Sequence, residues 1–186
     1  MSTQFNMQNT IIKNITRNVD STRRILVIHA DSHAIISNLH IETIRLGVIS
    51  VTDSVMEIYD SYMGDVVAED SVIDVYTSND VVIDNFTTFD WTTSKQSGMI
   101  AFRSSSINLI RDSHFELSQP TMMELSNTNV TLATNITLDG IYKGLRVRDE
   151  SRITLTNSII KNMIQNIKEG DVLQSDITSS GSAIGK

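Results

Sequence analysis

Arg152–Met163 reads RITLTNSIIKNM, and near the other end of the chain Gln4–Ile15 reads QFNMQNTIIKNI. Phe5, Met7, Asn9, Ile11, Ile12, Lys13, Asn14 and Ile15 answer Ile153, Leu155, Asn157, Ile159, Ile160, Lys161, Asn162 and Met163 in turn. A unit that recurs this far apart implies copies in between, and repetition at a fixed period decides architecture before local propensity does. The core of the unit is apolar–x–apolar–x–polar turn residue. It recurs as Phe5-Met7-Asn9, Ala34-Ile36-Asn38, Met56-Ile58-Asp60, Val81-Ile83-Asn85, Ile107-Leu109-Arg111, Val130-Leu132-Thr134 and Ile153-Leu155-Asn157. The first residues are spaced by 29, 22, 25, 26, 23 and 23. Six of these are preceded by a second apolar–x–apolar pair: Leu26-Ile28, Ile49-Val51, Ile73-Val75, Ile100-Phe102, Met123-Leu125 and Leu145-Val147. Short polar turns part the two pairs: Asp31-Ser32, Asp53-Ser54, Asn79-Asp80, Ser104-Ser105, Asn127-Thr128 and Asp149-Glu150.

Composition agrees with strands. Ile (25) outnumbers Leu (11), and β-branched side chains suit a pleated surface but are stiff in helices. Units of about this length with short strands and polar turns describe the coils of an all-β solenoid. Alternate side chains point inward, and coils stacked about 4.8 Å apart pair each strand with its equivalent above and below. One file of interior residues is then expected through Ile36, Ile58, Ile83, Leu109, Leu132 and Leu155. A corner column of Asn9, Asn38, Asp60, Asn85 and Asn157 is expected beside it, because Asn and Asp tolerate left-handed backbone. Residues 1–186 read as a single domain of six to seven coils, with an irregular tail over 168–186. Asp90–Gly98 reads as a protruding loop.

On these motifs the chain resembles a right-handed parallel β-helix of the pectate-lyase-like superfamily, over residues 4–165. The competing solenoid is the leucine-rich repeat. There the Asn falls three residues after the second apolar position rather than two, and leucine dominates. Polygalacturonate hydrolases of this superfamily carry clustered aspartates, Gly-His-Gly and Arg-x-Lys, none of which occurs in this sequence. Its lyases hold calcium on outward carboxylates of the first sheet. The outward column here reads Val27, Ser50, Asp74, Ala101, Glu124 and Arg146. Asp74 and Glu124 stand two coils apart, about 9.6 Å, too far to share an ion with ligands at about 2.3–2.6 Å. Glu124 and Arg146 are expected to pair instead. No catalytic residue, cofactor or metal site is assigned.

The net charge of −7 and pI near 5.0 exclude the basic face of a nucleic-acid binder. No apolar run is long enough to cross a membrane as a helix, and the chain has no cysteine. The histidines His29, His33, His40 and His114 lack a ligand spacing and read as exposed polar residues. The acidic run Asp53, Glu57, Asp60, Asp65, Glu69, Asp70, Asp74, Asp80 and Asp84 reads as a solvated face, with a divalent-cation strip as the alternative. Trp91, Lys95, Arg103, Arg146 and Arg148 are the candidate glycan-binding residues, Trp91 either stacking on a sugar or tucking over the coil edge. Asn14, Asn129 and Asn135 are candidate N-glycosylation sites. The fourth triplet, at Asn85, sits in the corner column. No capping helix covers either end of the repeat, so a segment of a longer chain, or end-on stacking against protein partners, is expected. The functional expectation is a non-catalytic scaffold or adhesive β-helix of a cell-surface or extracellular protein. The alternative is a module that binds or cleaves an anionic polysaccharide.

Overall fold

The computed structural model describes residues 3–16, 24–93, 99–119, 123–140, 145–161, 177–180 and 183–184. In chain order the strands are β1 (Gln4–Ile15), β2 (Arg24–His29), β3 (His33–Ile44), β4 (Gly47–Thr52), β5 (Val55–Ala68), β6 (Ile73–Tyr76) and β7 (Val81–Thr93). Then follow β8 (Ile100–Arg103), β9 (Ser106–Arg111), β10 (His114–Gln119), β11 (Met123–Ser126), β12 (Asn129–Thr134) and β13 (Thr137–Gly140). The last are β14 (Leu145–Arg148), β15 (Arg152–Thr156), β16 (Ile159–Lys161), β17 (Ile177–Ser180) and β18 (Ala183–Ile184). All strand pairings are parallel and join equivalent strands of successive coils. β2, β4, β6, β8, β11 and β14 form one six-stranded sheet, and the other twelve strands form the second. The chain is a parallel β-solenoid.

From β2 to β14 the six-stranded sheet completes five turns, and β1 and β17 extend the second sheet beyond it at either end. One difference from the sequence reading appears at the tail. Ile177–Ser180 and Ala183–Ile184 lie within the stretch expected to be irregular, yet they stack on β15 and β16 in register.

Each coil has three faces: the six-stranded sheet, then two arms of the large sheet that meet at a corner. That corner is held by Asn9, Asn38, Asp60, Asn85, Asp112, Asn135 and Asn157, all with φ between 48° and 51°. L-residues reach this left-handed region at a cost that Asn and Asp reduce with their short polar side chains. The column also bonds to itself. Asn38 Nδ2 donates to Asn9 Oδ1 at 2.7 Å, Asn85 Nδ2 to Asp60 Oδ1 at 2.7 Å, and Asn135 Nδ2 to Asp112 Oδ1 at 2.5 Å.

The corner between the six-stranded sheet and the first arm carries a ladder of hydroxyls. The backbone N–H groups of Ser32, Ser54, Ser78, Ser105 and Thr128 donate to the side-chain oxygens of Ser54, Ser78, Ser105, Thr128 and Ser151, one coil further on. Those hydroxyls in turn donate to carbonyls two or three residues back in their own coil. A second, alternating set serves the Asn/Asp corner, where Leu39, Phe86 and Ile136 N–H groups reach Ser61, Ser113 and Ser158. Buried backbone polar groups demand partners, and turns cannot supply them through sheet pairing. The Ser and Thr residues that follow each turn answer that demand.

The interior file runs Met7, Ile36, Ile58, Ile83, Ile110, Ala133 and Leu155 by strand register. From Ile36 onward these side chains are completely buried, and each Ile or Leu among them contributes about 1.5–3 kcal/mol by leaving water. The expectation of Leu109 and Leu132 in this file is corrected. Leu132 is 43% exposed and Leu109 is half-buried, because bulges at β9 and β12 turn both outward. Six residues separate Ser32 from Asn38 and Ser54 from Asp60, but seven separate Ser105 from Asp112 and Thr128 from Asn135. The extra residue falls inside the strand. Keeping Leu109 inside would move the corner to Arg111 and Thr134, placing ill-suited residues at positive φ and breaking the Asp112–Asn135 bond. Corner chemistry therefore overrides the apolar alternation.

Candidate functional site

The outer face of the six-stranded sheet aligns Val27, Ser50, Asp74, Ala101, Glu124 and Arg146 as the repeat requires. Its charges are matched within the molecule. The Arg103 guanidinium binds the Asp74 carboxylate. Burial pushes the Asp74 pKa up, against the pull of Arg103 and Arg24. Glu124 is only 2% exposed and receives Arg148, while Arg146 Nη1 lies 3.8 Å from its other oxygen. A carboxylate this deep needs such partners, since an unpaired buried charge is costly. The Glu124–Arg146 contact matches the sequence expectation, and Arg148 is the partner it missed. The three arginines put forward for an anionic glycan are thus already committed to carboxylates of this chain.

Trp91 stands elsewhere. Asp90–Thr93 belong to β7 and not to a protruding loop, and Trp91 faces the interior with no exposed surface. Its Nε1–H donates to the Met63 carbonyl at 2.8 Å, and its ring meets Phe86 edge-on at 6.2 Å. The reading of Trp91 as a sugar-stacking residue is therefore corrected. Inward alternation continues past a third corner, turned by Thr43, Asp65 and Asp90 at positive φ, where Ile44, Val66 and Trp91 succeed one another and all are fully buried. The coil is wide enough there for an indole. Lys95 lies outside the described residues.

The acidic run from Asp53 to Asp84 does not gather into a cation strip. Asp53 accepts from Thr77, Asp60 from Asn85, Asp65 from Arg45, Asp80 from Asn108 and Asp84 from Arg111, each across to a neighbouring coil. Glu57 accepts from Tyr59 at 2.5 Å and from His33 at 2.6 Å. The Tyr59 bond, and then His33, hold the Glu57 carboxyl below its ordinary value, while the same contact pushes the Tyr59 phenol up to about 12. Among the described residues no three His, Asp or Glu side chains are placed to hold a metal ion. Two further histidines also sit beside carboxylates: His40 lies 3.4 Å from Glu42, and His114 lies 3.8 Å from Glu116.

One surface escaped the sequence reading. On the outer face of the second arm, His40 and Tyr62 stack at 4.9 Å, tilted by 34°. Tyr62 leans along β5 over Gly64, where any Cβ would collide with its ring and hydroxyl. Phe89 pairs with Gly64 from the next coil and is 50% exposed. Burial, and after it the charges of Glu42 and Glu116, push the Tyr62 phenol pKa up, and Lys13 Nζ pairs with Glu42 at 2.7 Å. The signal was Tyr-x-Gly inside a strand, since a strand glycine often marks close approach. The repeat alone gives no phase for residues beyond the Asn/Asp corner, so Phe89 could not be placed outside.

The corner column holds Asn9, Asn38, Asp60, Asn85 and Asn157 as expected, and gains Asp112 and Asn135. Asn135 thus belongs with the structural asparagines. Asn14 and Asn129 lie on the surface with exposed side chains. No helix among the described residues is long and apolar enough to cross a membrane. The chain matches no known family model, no curated protein and no solved structure.

Proposed function

We infer that this chain is a non-catalytic parallel β-helix serving as a scaffold or adhesive surface, on a cell surface or outside the cell. The observation that carries this reading is the fate of the charged side chains. Asp74, Asp84, Glu124, Arg103, Arg111, Arg146 and Arg148 pair with one another across coils and so reinforce the stack. Catalytic carboxylates need access to a substrate; Glu124 has almost none. The partners implied are proteins, foremost further coils that continue the parallel stacking. Membership of the pectate-lyase-like superfamily and a right-handed winding belong to the same proposal, supported by the three-faced coil and the Asn/Asp corner.

A second reading, a polysaccharide-binding module, draws on the His40–Tyr62–Phe89 surface rather than on Trp91 and the arginines. The exposed Phe89 ring and the half-buried His40 and Tyr62 rings, beside carboxylates, offer a sugar both apolar area and hydrogen-bond acceptors. A glycan array together with an assay for unsaturated uronate release separates the two. The scaffold reading expects neither retention nor product. Retention lost in Phe89→Ala establishes the second reading, and release of an unsaturated product overturns the non-catalytic assignment.

A further inference from the structure

The four Asn-x-Thr triplets divide into two kinds by what their side-chain amides do in the fold. Asn85 and Asn135 sit at the Asn/Asp corner, at φ of 50° and 51°. Their Nδ2 groups donate to Asp60 and Asp112 of the preceding coil at 2.7 and 2.5 Å. Coils follow one another about every 4.8 Å along this column, so a sugar on either nitrogen would crowd the next corner residue and displace the carboxylate contact. The middle residues of these triplets, Phe86 and Ile136, are core. Their threonines, Thr87 and Thr137, are half-buried.

Asn14 and Asn129 differ on both counts. Asn14 stands at the far end of the second arm, at φ 58°, and Asn129 opens β12 on its outer side. Both side chains are exposed, neither side-chain amide makes a hydrogen bond among the described residues, and Thr16 and Thr131 are exposed beside them. We propose that Asn14 and Asn129 are N-glycosylation sites, while Asn85 and Asn135 are structural asparagines that carry no glycan. The inference rests on the extracellular or cell-surface reading above. In the reaction, Nδ2 attacks the anomeric carbon of a lipid-linked oligosaccharide diphosphate. The new N–C bond replaces the C–O bond to the lipid diphosphate, which leaves, and one amide proton passes to a base. The corner amides of Asn85 and Asn135, already engaged with Asp60 and Asp112, are held away from that attack, whereas the exposed side-chain amides of Asn14 and Asn129 are not.

The test is site occupancy by glycopeptide mass spectrometry on the full chain passed through the secretory route of a eukaryotic host behind a cleavable leader. Occupancy at Asn14 and Asn129 is expected to exceed that at Asn85 and Asn135 at least tenfold. The Asn14→Gln/Asn129→Gln variant should lose the mass shift on enzymatic deglycosylation. Asn85→Gln/Asn135→Gln should keep that shift and melt at lower temperature. Glycan at Asn85 or Asn135 comparable to that at Asn14 and Asn129, or no glycan at any of the four when a control glycoprotein is modified, overturns the proposal. Surface labelling of intact native cells reads the location separately. An internal protein sinks the extracellular reading even where the host occupancies divide as expected.

Discussion

β3, β5 and β7 run unbroken through the Asn/Asp corner, each 12 to 14 residues long, whereas the following coils divide there into β9/β10, β12/β13 and β15/β16. In the first group the arm before the corner buries residues at alternating positions, such as Met56 and Ile58. In β9 and β12 the buried pairs are Ile107 and Ile110, and Val130 and Ala133, three apart because of the bulge. Both groups nevertheless keep the same corner and the same hydroxyl ladder. The hydrogen bonds of the turns are therefore the fixed frame of this solenoid, and the apolar pattern adapts to them by bulging the strand. β-Bulges are the ordinary way to absorb one extra residue without losing the neighbouring register.

The sharpest contrast lies in the interior of the unbroken group. Trp91→Ala removes the largest buried side chain and its hydrogen bond to the Met63 carbonyl, and a loss of about 3–5 kcal/mol is expected in urea denaturation. A loss comparable to that of a surface substitution would return Trp91 to the outside. In the bulged group, Ile110→Ala is expected to cost about 2–5 kcal/mol, and Leu132→Ala no more than about 0.5 kcal/mol. The reverse order, measured by the same denaturation midpoints, would restore the unbulged register and erase the difference between the two groups.

Ser105→Ala tests the shared frame. It leaves the Ser78 N–H and the Arg103 carbonyl without their hydroxyl partner, at an expected cost of about 1–3 kcal/mol. Amide exchange should rise at Ser78 while β3, two coils away, stays protected. Uniform protection would mean that the ladder is dispensable.

The smallest effect concerns the outer faces. Glu57 has its carboxyl pKa lowered by Tyr59 and His33, so its contribution is present above the ordinary carboxylate value and lost as pH falls through the folded one. Glu57→Gln should flatten the acid limb of the melting curve by less than about 1 kcal/mol, as partly exposed pairs do. An unchanged acid limb would show that this cluster adds nothing to the unbroken group.

Much of the fold was legible in the sequence because each coil must solve the same problem. Ile36, Ile58 and Ile83 recur at one position, and Asn9, Asn38, Asp60 and Asn85 recur two residues later, so periodicity reveals both the interior file and its corner. The outward order of Asp74, Ala101, Glu124 and Arg146 followed from the same phase. The surface was less legible. The sequence brought Arg103, Arg146 and Arg148 to notice as a basic patch, but their pairing with Asp74 and Glu124 depends on which residues the neighbouring coils set beside them.

The sequence by itself determined the coiling, the strand phase before the corner and the residues that turn the chain, since these depend on side-chain period and backbone conformational preference. Only the tertiary structure decided that Leu109 and Leu132 face outward, that Trp91 fills the interior and that Tyr62 lies beside an exposed Phe89. Those outcomes depend on contacts between coils more than twenty residues apart in the chain, and on satisfying buried hydrogen bonds that no local pattern counts.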